Sequence, residues 1–157
     1  MKNLFVMLCF LLMAFAATAQ TRIYDEKIDA MKQINTAVAK AKSEGKFVFC
    51  QVGGDWCPWC RRFAEFVVQD TLIASVVKEN FVYIHVNYSR DNKNPEAMKY
   101  LGNPARFGFP VFVILDDKGT PIHIQNSAYL EEGQSYSQKL VLEFMQAWTP
   151  KAVRELK

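Results

Sequence analysis

Cys57 and Cys60 stand two residues apart in Asp55-Trp56-Cys57-Pro58-Trp59-Cys60-Arg61, directly after an apolar run. Two thiols at this spacing can close a disulfide and open it again, which is the chemistry of thiol–disulfide exchange. The spacing places both sulfurs on the first turn of a helix, where unpaired backbone N–H groups and the positive end of the helix dipole stabilise a thiolate. Cys57, the first of the two, is then the attacking sulfur.

The beginning of the chain bears on which cysteines can pair. Lys2, the apolar run Leu4 to Ala16 and the small-x-small site Ala17-Thr18-Ala19 ahead of Gln20 read as a secretory signal peptide over residues 1–19. The run is shorter than the roughly 20 residues of a membrane-spanning helix, so no membrane span is expected once it is removed. Cys9 follows Leu8, a large residue where a lipoprotein signal needs a small one, so lipid attachment there is not expected. Of the four cysteines, Cys50, Cys57 and Cys60 then remain, and adjacency favours Cys57 with Cys60 as the pair. A disulfide closing so short a loop removes little chain entropy, which favours an exchanged bond over a structural staple. Export to the bacterial periplasm is the expected address, since Arg154-Glu155-Leu156-Lys157 is not an endoplasmic-reticulum retention signal. Asn87-Tyr88-Ser89 matches a glycosylation sequon, a motif short enough to arise by chance.

Other chemistries lack their residues. One Cys-x-x-Cys supplies two zinc ligands and no second cysteine pair or His-x-His follows, so no metal site is expected. Covalent haem attachment needs His directly after the second cysteine, where Arg61 stands. Gly53-Gly54 lacks the lysine of a phosphate-binding loop. The expectation is no cofactor beyond a redox-active Cys57–Cys60 disulfide. With a formal charge of +3 and Lys and Arg interspersed with Asp and Glu, nucleic acid is not an expected partner.

A chain of 157 residues with 50% hydrophobic content suits one globular domain, taken as residues 20–157. Ile28, Met31, Ile34, Val38 and Ala41 recur at helical steps and predict a helix from Tyr24 to Glu44, stopped by Gly45. Lys46 to Val52 reads as a central strand buried on both faces, ended by Gly53-Gly54. Asp55 is the expected cap of a helix from Cys57 to Val68, with Pro58 tolerated in its first turn. A helical piece from Leu72 to Glu79, a strand from Phe81 to Asn87 and a short helix from Pro95 to Leu101 follow. Val111 to Leu115 and Pro121 to Gln125 read as a hairpin around Asp117-Lys118-Gly119, and Ser135 to Trp148 as a last helix. The order α-β-α-β-α-β-β-α implies an α/β fold with a mixed sheet flanked by helices, and the cysteine pair at the carboxyl end of a central strand.

With Trp-Cys-x-x-Cys at a helix start, Phe109-Pro110 before a strand and Asp117-Lys118-Gly119 in a hairpin, the stretch from Gly45 to Trp148 resembles the thioredoxin superfamily. The leading helix and the Asp-Trp-Cys-x-x-Cys site are more similar to its exported members than to the small cytosolic ones. The resemblance implies a thioredoxin fold with an extra N-terminal helix, Cys57 as nucleophile, Cys60 as resolving thiol and Pro110 as a cis-proline beside them. It implies protein thiols and disulfides as substrates, together with an unidentified redox partner. Trp56, Pro58, Trp59, Phe109 and Pro110 are then the expected peptide-contact residues. For Trp56, plain core packing is an equal expectation; Trp59 is expected to be exposed.

Thioredoxins commonly carry an acidic residue six positions before the first cysteine, as proton acceptor for the resolving thiol; here Gln51 occupies it. A glutamine can hydrogen-bond but cannot take a proton at neutral pH, so the proton of Cys60 must go to water or to another group. His85, on the neighbouring strand, is a candidate because its ordinary pKa lies near neutrality; a histidine merely satisfied within the sheet is the other reading. Cys50 alternates with Gln51 and should face the opposite side of the sheet as a small buried hydrophobe. Because Pro58-Trp59 adds no charge between the cysteines, a protein-disulfide reductase is expected. The alternatives are an oxidase or isomerase of the same fold, or a non-catalytic module that binds client peptides.

Overall fold

The computed structural model of the chain describes residues 21–155. The expected signal peptide lies outside them. The chain runs α1 (Ala30–Glu44), β1 (Phe47–Gly53), α2 (Pro58–Gln69), α3 (Thr71–Asn80), β2 (Phe81–Asn87), α4 (Pro95–Tyr100), β3 (Val111–Leu115) and β4 (Pro121–Asn126). A two-residue ribbon, β5 (Glu131–Glu132) with β6 (Ser135–Tyr136), then leads into α5 (Gln138–Ala147) and α6 (Pro150–Glu155).

The four long strands form one sheet in the order β2-β1-β3-β4. β1 runs parallel to β2 and antiparallel to β3, and β3 is antiparallel to β4, so the sheet is mixed as expected. All seven residues of β1 are buried, because helices cover both faces. Alternation along the strands sorts the core in two. Val48, Cys50 and Val52 pack with Val111 and Val113 against Ile34, Ala37 and Ala41 of α1 and Met98 of α4. Phe47 and Phe49 pack with Phe112 and Ile114 against Phe63 of α2, Ile73 of α3, and Val141 and Phe144 of α5. Cys50 therefore lies under α1, on the face opposite Gln51, and it is a buried free cysteine whose thiol burial pushes well above its ordinary range.

Capping sets the helix boundaries. α1 begins at Ala30 because the Asp29 carboxylate accepts the backbone N–H of Lys32, and it ends where Gly45, at φ 69°, turns its N–H back to the carbonyls of Ala41 and Lys42. The sequence expectation of a helix from Tyr24 is corrected by this cap: residues 24–29 precede the helix, and Tyr24 is buried elsewhere. Asp70 caps α3 through the N–H groups of Leu72 and Ile73. The last long helix starts at Gln138 rather than Ser135, since Ser135 and Tyr136 pair with Glu132 and Glu131. α6, absent from the sequence reading, follows Thr149.

Phe49 is the centre of the second core, touching the rings of Phe63, Phe81, Tyr83, Phe112 and Phe144 at centroid distances between 5.0 and 6.1 Å. Phe49→Ala should lower unfolding free energy by about 3–5 kcal/mol, read from the shift of the urea midpoint.

Candidate active site

β1 ends at Gly53, and the chain turns through Gly54, Asp55 and Trp56 into α2. Cys57 is itself the N-cap of α2. Its sulfur accepts the N–H of Cys60 at 3.2 Å, and Pro58 occupies the first helical position, where no N–H is missed. Asp55 is therefore not the cap expected from the sequence. Its carboxylate accepts the N–H of Ile23 at 3.0 Å and pairs with Arg61 at 3.1 Å, tying the segment before α1 to the start of α2.

Cys57 and Cys60 are joined as a disulfide with Cα atoms 5.3 Å apart. Cys57 keeps 4% exposure while Cys60 has none, so an incoming sulfur meets Cys57 first. The peptide bond Phe109–Pro110 is cis, and Phe109 packs against the cysteine pair together with Tyr24, Ile23 and Trp59. Trp56 is 54% exposed, which excludes the core-packing expectation for it. Its indole N–H donates to the Tyr88 carbonyl at 2.8 Å, and its ring stands edge-on to Phe109, which stacks on Tyr88. Trp56, Phe109 and Tyr88 thus make an aromatic ridge beside the disulfide. Pro58 is exposed at the helix start. Trp59, expected to be exposed, is half-buried: the Arg62 guanidinium lies 4.5 Å from its ring centre and Tyr136 meets it edge-on.

Beneath the pair, Gln51 is fully buried and fully hydrogen-bonded. Its amide nitrogen donates to the Cys60 carbonyl at 2.8 Å and to the Tyr24 hydroxyl at 2.6 Å, while its oxygen accepts the Tyr83 hydroxyl. Gln51 touches the backbone of Cys60, not its sulfur. His85 pairs with Gln51 across the strands, and its ring packs edge-on to Tyr24 at 5.3 Å and against Tyr83 at 4.7 Å. Burial pushes its pKa down from 6.5 to about 4, so it stays neutral at physiological pH. None of its hydrogen bonds among the described residues reaches Cys60, and its Nε2 has no partner there.

Sequence reasoning missed Tyr24, Tyr83 and the Asp55–Arg61 pair. A glutamine inside an apolar strand was a signal that polar partners must exist, and the parallel neighbour strand made Tyr83 a candidate. Tyr24 carried no such signal, being 27 residues from Gln51. Among the described residues no cluster of His, Cys, Asp and Glu could hold a metal ion.

A disulfide at the N-terminus of a helix, beyond the carboxyl end of the central strand of a four-stranded mixed sheet and next to a cis-proline, defines the thioredoxin fold with its Trp-Cys-x-x-Cys motif. A family profile described as Thioredoxin-like matches residues 29–117, more than half of the sequence, and the chain belongs to that family. No curated protein matches it significantly. Among solved structures it is similar to a disulphide isomerase from Xylella fastidiosa Temecula1, with 22% identity, a TM-score of 0.71, and 82% of this chain and 97% of that one covered. A thioredoxin from Thermus thermophilus is similar at 19% identity and a TM-score of 0.55, covering 78% of this chain and 88% of that one. The oxidised DsbD C-terminal domain from Neisseria meningitidis is similar at 19% identity and a TM-score of 0.50, covering 80% and 98%. At these identities the likeness is one of fold.

The half-buried His85 couples stability to pH. The folded protein binds a proton there only near pH 4, whereas the unfolded chain binds it near 6.5, so the unfolded state holds more protons in between. The contribution of His85 should therefore be level above pH 6.5 and cost about 2–3 kcal/mol of stability as pH drops toward 4. His85→Gln should flatten that part of the profile, measured by urea unfolding at a series of pH values.

Proposed function

We propose that this protein is an exported thiol–disulfide oxidoreductase that reduces protein disulfides. The observation that carries the reading is the Cys57–Cys60 disulfide, with Cys57, which keeps 4% exposure, at a helix N-terminus and Cys60 enclosed behind it. In the reduced form Cys57 attacks a substrate disulfide as a thiolate, one sulfur of the substrate leaves, and a mixed disulfide forms. Cys60, one helical turn on, attacks the Cys57 sulfur and releases the second substrate sulfur as a thiol. The electrons come from the Cys57/Cys60 dithiol, which an external dithiol partner must restore.

The ridge of Trp56 and Phe109, together with Pro58 and Pro110, is the surface on which an extended peptide would lie next to Cys57. Support for the reducing direction is the uncharged Pro58-Trp59 between the cysteines, which supplies no cation to favour the thiolate form. Support for export is the sequence of residues 1–19. No helix among the described residues is long and apolar enough to cross a membrane.

Cys57→Ser should reduce the rate of insulin reduction to the uncatalysed background, and Cys60→Ser should accumulate mixed disulfides that release their partner on addition of a small thiol. A reduction potential near about −270 mV fits the reducing role, while one near about −120 mV reassigns the protein as an oxidant. A wild-type protein without cysteine-dependent turnover is a binding module instead.

A further inference from the structure

The polarity of the hydrogen bonds beneath the disulfide leaves one proton unassigned. The Cys60 carbonyl can only accept, so the Gln51 atom 2.8 Å from it must be the amide nitrogen. The amide oxygen then faces Tyr83, whose hydroxyl must donate to it. The second amide hydrogen goes to the oxygen of Tyr24, 2.6 Å away, which makes Tyr24 an acceptor in that bond. Gln51 has no further hydrogen to give. The Tyr24 hydroxyl still carries its own, and among the described residues no hydrogen bond uses it.

That hydroxyl and the Cys60 sulfur both border the gap at Gly53, and no hydrogen bond joins them while the disulfide is closed. Gly53 lies between the two: a Cβ added there would overlap the Cys60 sulfur and sit 3.1 Å from the Tyr24 oxygen. Tyr24, with 1% exposure, forms a closed apolar cluster with Cys57 and Cys60. Within the disulfide the Cys60 sulfur is a weak acceptor. Once the bond opens it becomes a buried thiol that must lose its proton before it can attack, and a buried thiolate without a donor is costly.

We propose that the Tyr24 hydroxyl is the hydrogen-bond donor to the Cys60 sulfur in the reduced and mixed-disulfide states, held in donor orientation by the Tyr83–Gln51–Tyr24 chain. The proposal rests on the exchange reading above. In the resolving step Cys60 gives its proton to water, and its sulfur attacks the Cys57 sulfur. The Cys57–Cys60 bond forms, and the bond from Cys57 to the substrate sulfur breaks. The electron pair departs on the substrate thiolate, which takes a proton from water. Tyr24 keeps its own proton throughout and stabilises the attacking thiolate. The other titratable and charged groups around the pair are Cys57, Tyr83, His85, Tyr136 and the Asp55–Arg61 ion pair.

The test is a titration of Cys60 by thiolate absorbance in the full chain carrying Cys57→Ala. Adding Tyr24→Phe should raise the Cys60 pKa by about one unit, and in the otherwise native protein should slow mixed-disulfide resolution about tenfold at neutral pH. In a Cys60→Ala background the same change should alter alkylation of Cys57 by less than about twofold, since a donor to Cys60 does not serve Cys57. A ring-fluorinated tyrosine at position 24 keeps the shape and strengthens the donor, so it should shift the Cys60 pKa downward, and it decides the matter if Tyr24→Phe fails to fold. A Cys60 pKa that neither replacement moves overturns the assignment. The titration needs no turnover, so its outcome is separate from that of insulin reduction, on which the exchange reading stands or falls.

Discussion

A glutamine buried without any exposure on a central strand has three polar bonds to make and no water to make them with. Gln51 makes them to three different parts of the chain: the hydroxyl of Tyr24 ahead of α1, the hydroxyl of Tyr83 on β2, and the carbonyl of Cys60 in the first turn of α2. Leaving any one of these groups unpaired in the interior would cost on the order of 1–3 kcal/mol, so the amide fixes all three segments relative to β1 at once. The disulfide sits on top of this junction. Its geometry is a property of the network below it as much as of the cysteine spacing.

The position of the junction follows from how the sheet is covered. β1 is buried on both faces, so each of its side chains must be apolar, absent or fully paired. Cys50 and Val52 meet the first condition on the α1 side, and Phe49 meets it on the α2 and α5 side. Gly53 meets the second, and its missing side chain is what lets the sulfur of Cys60 come down against the strand. Gln51 meets the third. A carboxylate there would bring a charge into the same enclosed space, whereas the amide brings directed donors and an acceptor, which organise the neighbouring hydroxyls without introducing a charge.

The outer side of the disulfide is built differently. Trp56, Phe109 and Tyr88 support one another through ring contacts and one indole hydrogen bond, with Phe109 and Tyr88 half-buried against the first core and Trp56 standing exposed upon them. Trp59 is turned inward, with Arg62 over one face and Tyr136 at its edge. The two tryptophans flanking Cys57 thus divide the work, one presented outward and the other holding α2 to the β5–β6 ribbon. The Asp55–Arg61 pair and its bond to Ile23 close the remaining side, and bring Tyr24 under the disulfide.

The cis bond at Phe109-Pro110 was implied by the family resemblance, whereas the spacing of Cys57 and Cys60, the apolar run of β1 and the alternation that separates Cys50 from Gln51 were legible in the residues themselves. Each depends on neighbours within a few residues or on a period of two or 3.6, and such local regularities survive being read one residue at a time. The strands β2 and β3 were read at their observed limits for the same reason. The start of α1 was misplaced because the helix was carried back to Tyr24, whereas Asp29 caps it and Tyr24 is drawn away into the interior. Trp59 was misjudged because Arg62 and Tyr136 cover it, and Tyr136 comes from a ribbon far along the chain. What the sequence determined by itself is therefore the chemistry: a redox-capable pair at a helix start, and a glutamine where a proton acceptor would be expected. What only the tertiary structure decided is which distant hydroxyls complete that glutamine and which one is left with a proton to give, because hydrogen-bond direction in a closed interior is set by every partner together.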